Sequence, residues 1–207
     1  LRLMNTIVGS LWRSNDTAPL IMPGSVPLRD PEVMTEITQY LEDQWKVIID
    51  TDVDGANAAP TQVDRDNPDL LGKRFVTQRL ARTVFVGATP TLTSAHKGIN
   101  KQRAFLGTAL PGDVPGNFYS ALNQLADKAT YFYTSGDQYW FDTQANTTRT
   151  ARDYAERLHP EDVWAEVVRR LQDHRSPSQN GFAAVHVAPE SSADVPDGQE
   201  ARLVIVP

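Results

Sequence analysis

Thr130-Tyr131-Phe132-Tyr133-Thr134-Ser135-Gly136-Asp137-Gln138-Tyr139-Trp140-Phe141-Asp142 reads as two aromatic strands joined by a short Ser135-Gly136-Asp137 loop. Aromatic and β-branched residues suit a pleated, half-buried surface, and Gly-Asp between two such runs is a hairpin signal. Upstream, Val114–Lys128 places Phe118, Leu122 and Leu125 at helical spacing, and Leu110-Pro111-Gly112-Asp113 before it is a turn. A shorter helix is expected over Lys97–Thr108. Helix, turn, helix and hairpin across residues 96–142 have the order and size of a winged helix-turn-helix.

Working outward toward the N-terminus, residues 70–112 hold seven Lys or Arg and no Asp or Glu, in a chain of net charge −6. A block of this sign points to a surface that meets an anion, either phosphate or an acidic partner. Within it, a helix is expected from Asp69 to Val86 with Leu71, Phe75, Val76, Leu80, Val84 and Phe85 as its apolar positions, ended by Gly87 and Pro90. Lys73, Arg74, Arg79 and Arg82 are its bases. A guanidinium near the apolar stripe can fork onto phosphate or carboxylate. The plainer alternative is a solvated face that pairs with the Asp-rich stretch before it.

That stretch, residues 50–69, reads as a polar loop. Its six Asp do not make a calcium loop, because Asp50, Asp52 and Asp54 precede Gly55 without the Glu that such a loop requires at its twelfth position. Before it, Asp30-Pro31 is an N-cap followed by Pro at the first helical position, and the helix is expected to run to about Ile49 on Val33, Ile37, Leu41, Trp45 and Ile48. The first helix carries Leu1, Met4, Ile7, Val8, Leu11 and Trp12 on its apolar positions. Downstream of the hairpin, helices are expected over Asn146–Leu158 and from Pro160 to about Asp173, with strands at Phe182–Val187 and Leu203–Val206. The chain opens inside an amphipathic helix and closes on a strand, so we expect a fragment of a larger protein.

The predicted fold class is therefore α+β and mainly helical: a helical region over 1–95, a winged helix over 96–145, and helices with two strands over 146–207. An apolar fraction of 40% with 22% charged residues is ordinary for a soluble globular protein, and no stretch has the length of a membrane span. There is no Cys, so neither a disulfide framework nor a thiolate metal site exists, and a cytoplasmic location fits. Catalytic motifs are missing: Gly72-Lys73-Arg74 lacks the upstream glycine and the hydroxyl of a phosphate loop, and His96, His159, His174 and His186 have no metal spacing. No catalytic residue and no metal ligand is assigned. For nucleic-acid or partner contact the candidates are Lys97, Lys101 and Arg103, with Asn117, Ser120, Asn123, Gln124 and Lys128 on the second helix of the winged motif. Against DNA stand Asp127 beside Lys128, Asp137 at the hairpin tip, and the several neutralised phosphates that DNA binding requires.

Ala81-Arg82-Thr83-Val84-Phe85-Val86-Gly87, Lys97-Gly98-Ile99 and Tyr131–Gln144 resemble a family of very large prokaryotic AAA-type ATPases known as a domain of unknown function, related to the ATPase of phage-growth-limitation and BREX-type defence systems. The resemblance covers most of residues 1–175. It implies that the nucleotide-binding core lies upstream, that residues 1–95 belong to the ATPase lid, and that ATP and Mg serve the parent protein while this fragment holds no cofactor. It further implies that Arg82, or Arg79 one turn earlier, senses the nucleotide γ-phosphate. On this reading the fragment is a non-catalytic regulatory or interaction segment that couples nucleotide state to DNA or to protein partners of a defence complex. The alternatives are a stand-alone winged-helix DNA-binding module and a purely structural, protein-interaction domain.

Overall fold

The computed structural model describes residues 1–173 and 181–206. The chain is α+β and mainly helical, and it divides into two compact units, Leu1–Ala151 and Arg152–Pro207. His174 lies outside the described residues.

In the first unit, α1 (Arg2–Arg13) is joined to α2 (Pro31–Thr38) through the α2 cap. The Asp30 carboxylate accepts the backbone N–H groups of Glu32 and Val33, and Ser10 donates its hydroxyl to the other oxygen at 2.5 Å. The Ser10 hydroxyl is the largest cause of an Asp30 pKa held below the usual carboxylate range. Only part of the expected apolar face of α1 is covered. Ile7 and Leu11 are buried, whereas Leu1, Met4, Val8 and Trp12 are exposed.

The single helix expected over 31–49 is interrupted. α2 stops at Thr38, whose hydroxyl bonds back to the Met34 carbonyl, and the chain turns before α3 (Gln44–Ile48). The turn aims Trp45 at Phe85, with ring centroids 5.8 Å apart. A π-helical turn, Ile49–Val53, then widens the backbone so that Ile48, Ile49, Asp52 and Val53 all face inward. The expected polar loop over 50–69 is thus largely structured. It continues into α4 (Ala59–Asp66), and Asp52, Asp54 and Asp64 are each at most 3% exposed.

The helix expected over 69–86 is also broken. A 3-10 turn at Gly72–Arg74 and Phe75 in the left-handed region (φ 51°) precede α5 (Val76–Ala88). Gly72 is required here because a Cβ would sit 2.5 Å from the Asp64 carbonyl. With Phe75 unable to cap, α5 takes its cap from α4. The buried Asp64 carboxylate accepts Thr77 N–H at 3.0 Å, Gln78 N–H at 3.2 Å and the Gln78 side-chain amide at 3.0 Å. An anionic acceptor also meets the positive end of the helix dipole. Asp64→Asn keeps the shape but only one acceptor oxygen, and we expect a loss of about 1–2 kcal/mol in urea unfolding. An unchanged midpoint would mean that the cap contributes nothing.

α5 is the central helix: Leu80, Ala81, Val84, Phe85 and Ala88 are at most 1% exposed. β1 (Ile99–Asn100), α6 (Lys101–Thr108), α7 (Pro115–Lys128) and β3 (Gln138–Phe141) pack around it, and β2 (Phe132–Ser135) packs on β3 and α7. The helix expected from Lys97 starts at Lys101, because β1 takes the preceding residues and Asn100 caps α6 by accepting the Arg103 N–H at 2.9 Å. The sheet is antiparallel in the order β1-β3-β2, with Ile99 opposite Tyr139 and Phe132 opposite Phe141. Ser135 pairs with Gln138, so the hairpin loop is the two residues Gly136-Asp137, with Gly136 at φ 57°. One hydrophobic core runs from Ile7 to Phe141, so the regions 1–95 and 96–145 share it.

α8 (Thr147–Glu156) spans the boundary between the units. In the second unit, α9 (Pro160–Gln172) accompanies a parallel pair, β4 (Ala184–Val187) and β5 (Arg202–Ile205), in which Val185 is opposite Leu203.

Candidate functional site

Two aspartates on the first unit each gather a pair of arginines. Asp54 follows the π-helical turn, and its side chain is fully buried. Its Oδ1 accepts Arg82 Nη2 at 2.6 Å and lies 3.3 Å from Arg29 Nε. Burial raises the Asp54 pKa, and the charge and hydrogen bond of Arg82 followed by the charge of Arg29 offset this only in part. Asp113, in the turn between α6 and α7, accepts Arg79 Nη1 at 2.8 Å, Arg79 Nη2 at 3.2 Å, Arg74 Nε and the Leu110 N–H. Burial pushes its pKa up, but the Arg79 and Arg74 hydrogen bonds and the Leu110 N–H leave it lowered.

All four arginines line one cleft of about 590 Å³, together with Asp16, Gly24, Ser25, Phe75, Gln78 and Pro111. They are not equivalent. The Arg79 guanidinium is 8% exposed and also donates Nε to the Arg74 carbonyl at 2.9 Å and Nη1 to the Thr108 carbonyl at 2.6 Å. It therefore serves as an internal clamp between α5 and the α6–α7 turn. Arg82 is 19% exposed, and its buried Nε has no hydrogen-bond partner among the described residues. Arg29 donates to the carbonyls of Asp54 and Gly55, to Thr61 and to Gln78. Of the other base in this block, Lys73 pairs with exposed Asp69 at 2.8 Å. The expected pairing with the Asp-rich stretch is seen for Arg82 and Lys73, whereas Arg74 and the buried Arg79 pair with Asp113 instead.

The polar residues of α7 meet the protein itself. Asn117 donates to the Leu70 carbonyl at 2.6 Å, and Gln124 accepts from Asn67 at 2.8 Å while donating to Ser120. Lys128 pairs with Asp66 at 2.7 Å. The segment from α4 to Leu70 therefore covers the face from which these residues would reach a base edge. Asn123 is exposed, between exposed Tyr119 and Asp127. Lys101 lies over the Tyr119 ring at 4.5 Å, and Lys97 pairs with Asp142 at 3.0 Å. Lys97 and exposed Arg103 line a second cleft against the hairpin, with His96, Gln138 and Trp140.

Among the described residues, no group of three or more His, Asp or Glu is placed to hold a metal, and no helix is long and apolar enough to cross a membrane. The chain matches no protein-family description, no curated protein and no solved structure. Sequence reasoning singled out Arg79 and Arg82 but missed Arg29 and Phe75 as parts of the same cleft, and Asp54 and Asp113 as the carboxylates that hold its arginines. The signal for Asp113 was present: it ends the acid-free block, two residues ahead of α7.

Proposed function

We propose that residues 1–151 form a non-catalytic interaction segment built on a winged helix-turn-helix, and that it works within an AAA-type ATPase by holding a protein partner. The supporting order is α5, β1, α6, α7 and the β2–β3 hairpin, with the strands arranged β1-β3-β2. In a DNA-reading winged helix the third helix enters the major groove. Here Asn117, Gln124 and Lys128 are engaged by the 66–70 segment, and the exposed positions of α7 include Asp127 but no base. This coverage of α7 is the observation that carries the reading. Exposed Leu70, Leu106, Val114 and Tyr119 near the α6–α7 turn offer apolar surface of the kind that protein interfaces use.

The ATPase context rests on the resemblance of residues 81–87, 97–99 and 131–144, and ATP and Mg would then belong to the parent protein. Titrating the chain with duplex DNA at about 50 mM and about 200 mM salt separates the readings. We expect no binding at either concentration. Binding that weakens steeply with salt and is lost in Arg103→Ala and Lys128→Ala would establish the DNA-binding alternative.

A further inference from the structure

A small apolar pocket opens where the segment before α5 meets the turn between α6 and α7. Its inner wall includes Val76, Phe105 and Phe118, and the two rings pack edge to face at 5.2 Å. Val76 and Phe118 are buried members of the hydrophobic core, so the core itself shows through to the surface here. Leu70 and Val114 also line the pocket and are each 60% exposed, while Leu106 and Tyr119 add exposed apolar surface on α6 and α7. The volume, about 200 Å³, falls below that of small-molecule sites, roughly 300–1,000 Å³, and leaves room for one large side chain. A hole of that size inside an exposed apolar rim is the setting in which a protein interface seats an anchor residue.

The surrounding charges indicate what flanks that anchor. Asp69 pairs with Lys73, Asp113 takes Arg79 and Arg74, and Asp64 caps α5. Lys101 lies over the Tyr119 ring. Three carboxylates against Lys73, Arg74, Arg79 and Lys101 leave one positive charge. The groups a partner would meet are more one-sided. Asp64 and Arg79 are buried and the Asp113 side chain is only 14% exposed, which leaves Lys73, Arg74 and Lys101 to face Asp69 alone. Asp127 lies two turns beyond Tyr119 along α7. Among the described residues, Arg74 Nη1 makes no hydrogen bond, so it is available to an acceptor from outside.

We propose that this pocket is the anchor site for an acidic partner segment. The segment inserts one large apolar side chain, such as Phe or Leu, between Leu70 and Val114 and sets its flanking carboxylates against Lys73, Arg74 and Lys101. The inference rests on the reading of residues 1–151 as a protein-interaction segment, and it adds the chemistry of the partner and the place where it docks.

Panning the whole chain against a random peptide library displayed on phage tests it. Enriched sequences are expected to carry one Phe, Leu or Trp with two or more Asp or Glu nearby, and a fluorescein-labelled synthetic copy to bind at about 100 µM or tighter. Replacing its anchor by Ala should weaken it about tenfold or more. Lys73→Glu changes an exposed side chain and should weaken the acidic peptide about tenfold while strengthening a copy in which Lys replaces the acids. Ala109→Phe fills the pocket from its own wall and should abolish binding. Val114→Asp should do the same by charge; Val114 is the exposed N-cap of α7, where Asp is favourable, so this variant keeps the test intact if Ala109→Phe unfolds. The proposal is overturned if no sequence is enriched, if the enriched sequences lack the anchor or the acids, or if Lys73→Glu and Val114→Asp bind the selected peptide like the parent. Each of these outcomes strikes the pocket alone, whereas salt-dependent binding of duplex DNA strikes the interaction reading beneath it.

Discussion

Arg79→Ala should lower the stability of the chain by about 3–5 kcal/mol, the usual cost of removing one partner from a buried ion pair. Three features set the size. The guanidinium is 8% exposed, it makes four hydrogen bonds to Arg74, Thr108 and Asp113, and both carbonyls it satisfies would be left without it. Asp113 would keep Arg74 and the Leu110 N–H, so the loss stays short of a fully orphaned charge. Arg79→Lys retains a charge but cannot fork between Asp113 and two carbonyls, and about half the loss should remain. Spread over a two-hundred-residue chain, 3–5 kcal/mol corresponds to a fall in melting temperature of about 10 °C. Thermal unfolding followed by far-UV circular dichroism reads it directly. A fall under about 2 °C would mean that Arg79 is not a structural clamp and would return it to the nucleotide-sensing role that the resemblance implies.

The contrast between Arg79 and Arg82 shows why the site was only partly legible in sequence. Both are bases on one helix, three residues apart, and periodicity puts them on one face with Arg82 close to the apolar stripe. What separates them is how many acceptors each finds. Arg79 reaches a turn at Thr108–Asp113, and Arg82 reaches Asp54, in each case through long-range packing that no local pattern encodes. The same holds for the Asp-rich stretch. Six Asp within twenty residues read as solvated, since isolated carboxylates are rarely buried. Here the buried ones differ in what they hold. Asp64 caps α5, Asp54 aligns two arginines, and Asp52 anchors the hairpin. By contrast, the hairpin, α6, α7 and α9 were legible within a few residues, because period-two and period-3.6 patterns with turn residues between them are local signals. The misread helices at 31–49 and 69–86 share one cause. Apolar spacing continued through Gln39–Asp43 and Gly72–Phe75 while the backbone turned, and periodicity registers neither the turn nor the outward swing of Phe75, an exposed member of the expected apolar stripe.

Asp52→Asn should stabilise the chain near neutral pH and leave it almost unchanged near pH 4. Asp52 sits on the π-helical turn at 3% exposure, and its carboxylate accepts the Tyr131 N–H at the entry to β2. Burial raises its pKa from 3.8 to about 6, with the Tyr131 and Thr130 backbone hydrogen bonds and the charge of Arg149 opposing. A folded pKa above the unfolded value means that the folded chain holds the proton more tightly. The associated stability is fully present below about pH 4 and is lost as pH rises through about 6. A shift of about two units corresponds to about 3 kcal/mol at most, so the part removed by titration is a sizeable fraction of an ordinary domain's stability. Asn keeps an acceptor for Tyr131 but cannot ionise. The difference in unfolding free energy between the variant and the parent should therefore grow between pH 4 and 7 and then level off. Asp54, also raised by burial, titrates in the same direction in both proteins, and the lowered Asp30, Asp113 and Asp142 act at more acid pH, so they cancel in the difference. Urea denaturation at several pH values measures it. A variant whose difference from the parent is flat across that window would show that Asp52 does not carry a raised pKa, and that the link between the π-helical turn and the hairpin is insensitive to its charge.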